Sequence, residues 1–206
     1  MNEFALPLQI VSRRMVLPNL EIFFPQIIFG TNQSALQSMN RQITDLVQRL
    51  IREQGYFQDP MRTQVNGFFE LKNNQRGVLS LVIGNYTYPY HAAHGLTILK
   101  SLTFDIATGR NYQLRELFKP NADYQRRLDT IIKRQIRERE IPIINGFVGV
   151  KPDQDYYIAD KALVIYYQLY AMTPYVFGFP MFPISVYEIR DIIREDGPLG
   201  VMLINR

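Results

Sequence analysis

The sequence predicts an α+β protein in which antiparallel β-sheet is packed against two long amphipathic helices and a short C-terminal helix. Short runs rich in β-branched and aromatic residues are separated by tight polar turns, and two longer segments repeat apolar residues at helical spacing. These two kinds of element alternate along the 206 residues. We expect a single domain, residues 1–206, with sub-parts 1–112 and 113–206 that each place strands around one long helix.

The first elements are two strands. LQIVS at 8–12 and LEIFF at 20–24 are rich in the residues that strands prefer. Pro18 and Pro25 mark their ends, because proline lacks the backbone N–H that a sheet ladder needs.

The next element is an amphipathic helix at residues 34–53, whose apolar side chains recur on one stripe. Asn32 or Ser34 would cap its start, and Gly55 would end it. Asn40 falls on the apolar stripe, and a buried amide needs hydrogen-bond partners. We therefore expect its side chain to bind the backbone of a neighbouring strand.

Three strand-like runs follow at 67–71, 78–88 and 96–106, joined by short polar turns. Such tight connections predict antiparallel pairing. Residues 103–114 read as a further hairpin, in which Gly109 would supply the positive φ that the turn needs.

The second half opens with a helical turn at 114–118 and a second amphipathic helix at about 123–140. A strand pair turning at 159–161 comes next. VYEIRDIIRE at 186–195 predicts the last short helix.

The composition limits the function classes. Because cysteine is absent, disulfides, thiolate nucleophiles and cysteine-ligated metal centres are excluded. The net charge is +4, and acidic residues interrupt the densest basic run, 126–139, so we interpret that run as a solvated helix face and not as a nucleic-acid site. We find no phosphate-binding glycine loop and no activated serine motif, and we predict no cofactor.

The termini and hydropathy bear on location. No stretch approaches the ~20 apolar residues that span a bilayer, and the N-terminus lacks a basic head followed by an apolar run. As the chain reads, it predicts a cytoplasmic protein; a leader removed earlier would make it extracytoplasmic.

Three segments carry a family resemblance. SLTFDIATGRNYQLRELF at 101–118 and DYYIADKALVIYYQLYAMTPYVFGFPMFPISVYEI at 155–189 resemble the RsiV-like family. LEIFFPQIIFGTNQSALQSMNRQI at 20–43 is similar to the family's strand, proline and asparagine-bearing helix, so the resemblance covers about residues 10–193. This family is the extracytoplasmic domain of lysozyme-sensing anti-sigma factors and the N-terminal domain of some peptidoglycan deacetylases.

The resemblance implies a bacterial binding domain of α+β fold. It makes lysozyme a candidate partner, but lysozymes are often strongly basic and this chain carries a net charge of +4, so long-range attraction is unfavourable. The sigma-binding segment, the transmembrane helix and the deacetylase domain of those proteins have no counterpart in these residues. Where family members have a turn with one histidine, this chain has YPYHAAHG, with His94 in the equivalent turn and His91 as an extra.

His91 and His94 are the only histidines, and they lie three residues apart. On a strand they would point to opposite faces, but Pro89 and Gly95 favour a loop in which both rings can face one side. A metal site there would need a third ligand. A turn with solvated histidines is the better interpretation, and we predict no metal site.

The most unusual segment is YYQLYAMTPYVFGFPMFP at 166–183. Prolines hold such a loop in shape, and aromatic rings bury a large area at little entropic cost. Some of these rings would fill the core, and the others would form a binding face with the turn at 86–95. The candidate binding residues are Tyr86, Tyr88, Tyr90, His91, His94, Tyr175, Phe177, Phe179 and Phe182.

Three hypotheses follow. The first is a non-enzymatic module that binds a protein or a cell-wall glycan through the aromatic loop. The second is a metal-dependent cell-wall hydrolase that uses His91 and His94. The third is an intracellular scaffold or regulator that retains the fold.

Overall fold

The computed structural model describes residues 8–30, 32–144 and 146–203. The chain divides into two compact units, Met1–Asn111 and Tyr112–Arg206, which we call the N-terminal and C-terminal units. The predicted α+β class is confirmed, because each unit combines one α-helix with one β-sheet. That both units form a single domain stays a prediction.

The N-terminal unit is a five-stranded sheet with one helix on one face. Its strands follow one another in chain order across the sheet, and the predicted antiparallel pairing of the last three strands is confirmed. The elements are β1 (Gln9–Leu17), β2 (Leu20–Phe29), α1 (Gln33–Glu53), β3 (Thr63–Gln75), β4 (Val78–Pro89) and β5 (Leu96–Asp105).

One strand pair departs from the antiparallel expectation. β2 and β3 run parallel, with Leu20 opposite Val65 and Ile22 opposite Gly67. The reason is α1. A helix between two strands carries the chain back to the end of the sheet where the first strand began, so the second strand runs in the same direction, whereas a tight turn makes the second strand run in the opposite direction.

α1 begins and ends as its sequence predicts. The Asn32 side chain accepts hydrogen bonds from the backbone N–H groups of Ser34 (3.0 Å) and Ala35 (3.3 Å), which satisfies donors at the start of the helix. Gly55 lies just beyond the helix end with φ +83°, which a residue without Cβ adopts at no steric cost. The buried stripe of α1 packs on the sheet and forms the core of this unit.

The predicted hairpin at 103–114 is reduced to a turn and a single bridge. Gly109 has the expected positive φ of +72°, and its N–H donates to the Asp105 carbonyl over 2.8 Å. Beyond the turn, Asn111 forms an isolated bridge opposite Phe104.

The C-terminal unit holds one helix, a three-stranded antiparallel sheet and three short 3₁₀ segments. The predicted turn at 159–161 is confirmed. Its elements are the 3₁₀ turn Leu114–Leu117, α2 (Tyr124–Glu138), β6 (Tyr156–Ala159), β7 (Ala162–Tyr166), the 3₁₀ turn Tyr175–Phe177, β8 (Met181–Ser185) and the 3₁₀ turn Gly200–Leu203.

The last short helix lies later than predicted. Residues 186–195 form successive turns, and the short C-terminal helix is the 3₁₀ segment Gly200–Leu203. Three apolar residues of the predicted helix, Val186, Ile189 and Ile193, are fully buried, so helical spacing is present without a continued helix. Ile193 forms an isolated antiparallel bridge with Phe118, which interrupts the series of turns. Among the described residues, no helix is long and apolar enough to cross a membrane.

Candidate ligand-binding surfaces

The aromatic loop joins β7 to β8 in the C-terminal unit, and its backbone is held by its own hydrogen bonds. The Phe177 N–H donates to the Pro174 carbonyl, and the Gly178 N–H donates to the Tyr175 carbonyl, each over 3.0 Å. Gly178 then turns the chain with φ +79°. A loop closed by such contacts presents its side chains in a fixed arrangement.

Several side chains of this loop face solvent. Phe177 is exposed, Tyr175 and Phe179 are half-buried, and Val176 is 92% exposed. The Tyr175 ring lies 5.4 Å from the ring of Tyr170, with an angle of 32° between their planes. Large apolar side chains in contact at the surface are typical of binding sites.

A second segment adds apolar surface beside the loop. The N–H of Ile144 donates to the carbonyl of Met172 over 3.0 Å, which places the exposed Ile144 side chain next to the start of the loop. We refer to a set of five exposed or half-buried residues from these two segments as the loop patch. The loop patch consists of Ile144, Tyr170, Tyr175, Val176 and Phe177.

Phe182 was predicted to be part of the binding site, but the structure places it in the core. Its side chain is 0% exposed, because β8 alternates and directs Phe182 and Ile184 into the core. The Phe182 ring packs edge-on against Tyr167 at 5.9 Å, and the Arg139 guanidinium lies 5.6 Å from its centre. Phe182 therefore supports the loop from beneath and is not part of the exposed surface.

The tyrosines of β4 lie in the N-terminal unit. Tyr86 and Tyr88 are two residues apart, so both point away from α1, and both are half-buried. Tyr86 packs on Gly95, where a Cβ atom would lie only 2.3 Å from the ring. The missing side chain of Gly95 thus leaves space for the Tyr86 ring, and a larger residue at this position would displace the ring.

The two histidines lie in the predicted loop, and each has its own neighbour. His91 adopts φ +69°, and its ring lies 4.0 Å from the ring of Tyr90. His94 Nδ1 lies 2.9 Å from the carbonyl oxygen of Gly95. In residues 8–30, 32–144 and 146–203, no group of three or more His, Cys, Asp or Glu side chains is placed to hold a metal ion.

Sequence reasoning missed a cavity beside the β4 tyrosines. It has a volume of about 180 Å³ and lies where the β1–β2 turn, the segment before β3 and the end of β4 meet. Its residues are far apart in the chain and carry no shared motif, so only the fold brings them together. We call it the β4 pocket, and it is lined by Asn19, Met61, Arg62, Gln64, Tyr88 and Tyr90.

The basic run on α2 is partly neutralised. Arg134 forms an ion pair with Glu188 at 2.6 Å, and Arg127 lies 3.6 Å from Asp191. The pKa of Arg134 is raised, first by its hydrogen bond to Glu188 and then by the charge of that carboxylate. These acids dilute the positive surface that a phosphate backbone would need.

Comparison with known proteins finds a family match and a curated relative. Residues 115–187 match the family model described as "Protein of unknown function (DUF3298)". The peptidoglycan-N-acetylmuramic acid deacetylase PdaC of Bacillus subtilis (strain 168) is 21% identical over 141 residues, which cover 65% of this chain. The match spans only 30% of the length of that deacetylase.

Two solved structures are similar over nearly the whole chain. A DUF3298 family member from Bacteroides fragilis has a TM-score of 0.72 at 15% identity and covers 97% of this chain and 99% of its own. A DUF3298 family protein from Pseudomonas aeruginosa PAO1 has a TM-score of 0.73 at 11% identity, with coverages of 98% and 99%. The chain therefore has the fold of two solved DUF3298 proteins and carries the DUF3298 match itself at residues 115–187.

Proposed function

We propose that this chain is a non-enzymatic binding module of the RsiV-like kind, and that its loop patch binds cell-wall glycan. The observation that carries the proposal is the set of exposed rings and apolar side chains on a loop whose backbone is already fixed. Phe177 and Gly178 close that loop through backbone hydrogen bonds to Pro174 and Tyr175.

The geometry suits an extended ligand. Aromatic faces carry partial negative charge and attract the polarised C–H groups on the flat face of a sugar ring. The contact between Tyr170 and Tyr175 holds two rings at a fixed separation of 5.4 Å. Because the loop is ordered before binding, little conformational entropy is lost when a ligand docks.

The choice of glycan rests on the curated relative. By its name, that Bacillus subtilis protein acts on N-acetylmuramic acid of peptidoglycan. This chain covers 30% of it, so a role in holding the same polymer is the function we transfer, and the deacetylation is not. Lysozyme is a weaker candidate partner, since the net charge of +4 opposes attraction to a basic protein.

Cosedimentation with insoluble peptidoglycan tests the proposal. We expect the wild-type chain to pellet with the polymer and the double variant Tyr175→Ala/Phe177→Ala to lose about tenfold in affinity, since central aromatic contacts carry most of a binding energy. The matched control is Tyr187→Ala, because Tyr187 is 44% exposed, close to the 38% of Phe177, and lies outside the loop.

Two outcomes would contradict the proposal. One is a wild-type chain that stays in the supernatant at every peptidoglycan concentration. The other is a Tyr175→Ala/Phe177→Ala variant that remains folded by circular dichroism and pellets as well as the Tyr187→Ala control.

A further inference from the structure

We propose that the N-terminal unit holds a second binding site, the β4 pocket, and that it binds a carboxylate-bearing sugar. This inference goes beyond the proposed function, because every residue of the β4 pocket lies in Met1–Asn111 and none belongs to the loop patch. It concerns a small ligand held by polar contacts, whereas the loop patch is a largely apolar surface.

The wall formed by Asn19 is fixed from several directions. Asn19 adopts φ +56° in the β1–β2 turn, a conformation that asparagine tolerates better than most residues. The side-chain Nδ2 of Asn19 donates to the carbonyls of Pro60 (3.2 Å) and Met61 (3.0 Å). The backbone carbonyl of Asn19 accepts from the Val65 N–H at 2.8 Å. The turn is thereby tied to the segment that carries the cation of the pocket.

The opposite wall is equally well anchored. Gln64 and Tyr88 are direct partners across β3 and β4, so their side chains lie side by side on the face of the sheet away from α1. The Tyr90 N–H donates to the Arg62 carbonyl over 2.7 Å, which extends the ladder past the end of β4. Arg62, Gln64, Tyr88 and Tyr90 therefore emerge from backbone that is already ordered.

The polar groups of this pocket are available to a ligand. In the part of the chain that the structure describes, the Arg62 guanidinium, the Gln64 amide and the Tyr88 and Tyr90 hydroxyls have no hydrogen-bond or ion-pair partner. Arg14, by contrast, is paired with Glu21 at 2.6 Å.

The charge of the lining selects the class of ligand. Among the described residues, the lining of the β4 pocket holds one cation, Arg62, and no carboxylate, so it favours an anionic group. A guanidinium binds a carboxylate through two parallel hydrogen bonds, which gives both strength and orientation. The rings of Tyr88 and Tyr90 suit the face of a sugar, and the side-chain oxygen of Asn19 and the Gln64 amide suit its hydroxyl and acetamido groups.

The size of the cavity is compatible with such a ligand. The β4 pocket of about 180 Å³ adjoins a second depression of about 310 Å³, and the two share Asn19 and Gln64. Together they reach the range of about 300–1,000 Å³ that small-molecule sites occupy. A second sugar unit attached to the first can extend into the second depression, whose lining includes Glu21; the Glu21 carboxylate there is paired with Arg14 at 2.6 Å.

The test is an NMR titration of the whole chain with three probes. N-acetylmuramic acid and N-acetylglucosamine share a ring and an acetamido group, but only the first carries a carboxylate. D-alanyl-D-alanine carries a carboxylate without a sugar ring. We expect saturable shifts at residues 60–64 and 88–90 with N-acetylmuramic acid, and affinity at least about tenfold lower for the other two probes.

Variants of exposed arginines assign the contact. Arg62→Gln should lower the affinity for N-acetylmuramic acid to that for N-acetylglucosamine. The matched control Arg52→Gln should leave the affinity unchanged, since Arg52 is also exposed and also has no ion pair among the described residues. Neither side chain makes a contact on which the fold depends, so both variants should fold.

Any of three results would overturn this inference: equal affinities for the two sugars, equal or tighter binding of the dipeptide, or full affinity in the Arg62→Gln variant. None of these results bears on the loop patch, which is tested by the Tyr175→Ala/Phe177→Ala variant. The two proposals can therefore fail separately.

Discussion

The side chain of Asn40 brackets the backbone of Ile27. Its Oδ1 accepts the Ile27 N–H at 2.9 Å, and its Nδ2 donates to the Ile27 carbonyl at 2.8 Å. β3 pairs with β2 only along Leu20–Ile22, so Ile27 has no strand on that side, and the α1 amide takes the place of one. The predicted contact between the Asn40 amide and a neighbouring strand is confirmed.

Removing this bracket should destabilise the N-terminal unit. Asn40→Leu leaves the N–H and carbonyl of the buried Ile27 without these partners, and we expect a loss of about 1–3 kcal/mol in the free energy of unfolding. The loss of stability in Asn40→Asp should lie between zero and that of Asn40→Leu, because a carboxylate accepts from the Ile27 N–H but cannot donate to the Ile27 carbonyl. Urea-induced unfolding measures both. The exposed Gln48→Ala change on the same helix is the control, and an Asn40→Leu variant as stable as that control would refute the role.

Alanine variants at Gly109 and Gly77 distinguish the cost of backbone strain from the cost of a steric clash. Their φ values are nearly equal, +72° and +74°, but a Cβ at Gly109 would lie 2.6 Å from the Ala35 carbonyl oxygen, whereas a Cβ at Gly77 meets nothing within 4 Å. We expect Gly77→Ala to cost about 1–2 kcal/mol, from the left-handed backbone alone. Gly109→Ala should cost about 1–3 kcal/mol more, because α1 must also move.

The measurement is the difference in unfolding free energy between the two glycine variants, taken under identical conditions. Equal losses would mean that the turn at Gly109 can shift away from α1 without cost. Such a result would contradict the close contact with Ala35.

Tyr167 should make stability depend on pH in the alkaline range. Burial raises its pKa, and the negative charge of Asp129 adds to the effect. The folded state keeps the Tyr167 proton more firmly than the unfolded chain does. The stability that protonated Tyr167 contributes is therefore complete below pH ~10 and is lost as the pH rises above that value. The difference in unfolding free energy between the wild type and Tyr167→Phe should therefore shrink as the pH rises from about 8 to about 11.

The control for this measurement is Tyr187→Phe, which alters an exposed tyrosine of the same unit. Urea unfolding at each pH gives the stability difference between each variant and the wild type. A Tyr167→Phe difference that stays constant over this range would contradict the pKa shift.

Local signals in the sequence predict much of the fold. The cap at Asn32, the glycine at 55 and the apolar stripe between them determine α1, and all three lie within one short segment. The parallel β2–β3 pair was not predicted, because strand direction depends on where α1 returns the chain. The helix expected at 186–195 was misplaced, since apolar spacing alone does not distinguish a helix from buried turns.

The candidate sites were less predictable. The aromatic loop stands out by composition, but whether a ring such as Phe182 faces the core depends on the register of β8. Arg62 and Asn19 are 43 positions apart, and only the parallel strand pair places both in the β4 pocket. The assignment of the remaining predicted residues to a binding surface stays a proposal.

Hydrogen–deuterium exchange with and without soluble peptidoglycan fragments tests whether the loop patch binds cell-wall glycan. We predict slower exchange at residues 174–180, where the backbone N–H groups of Phe177 and Gly178 close the loop. Unchanged exchange at 174–180, whether or not residues 60–64 and 88–90 become protected, would contradict binding through the loop patch.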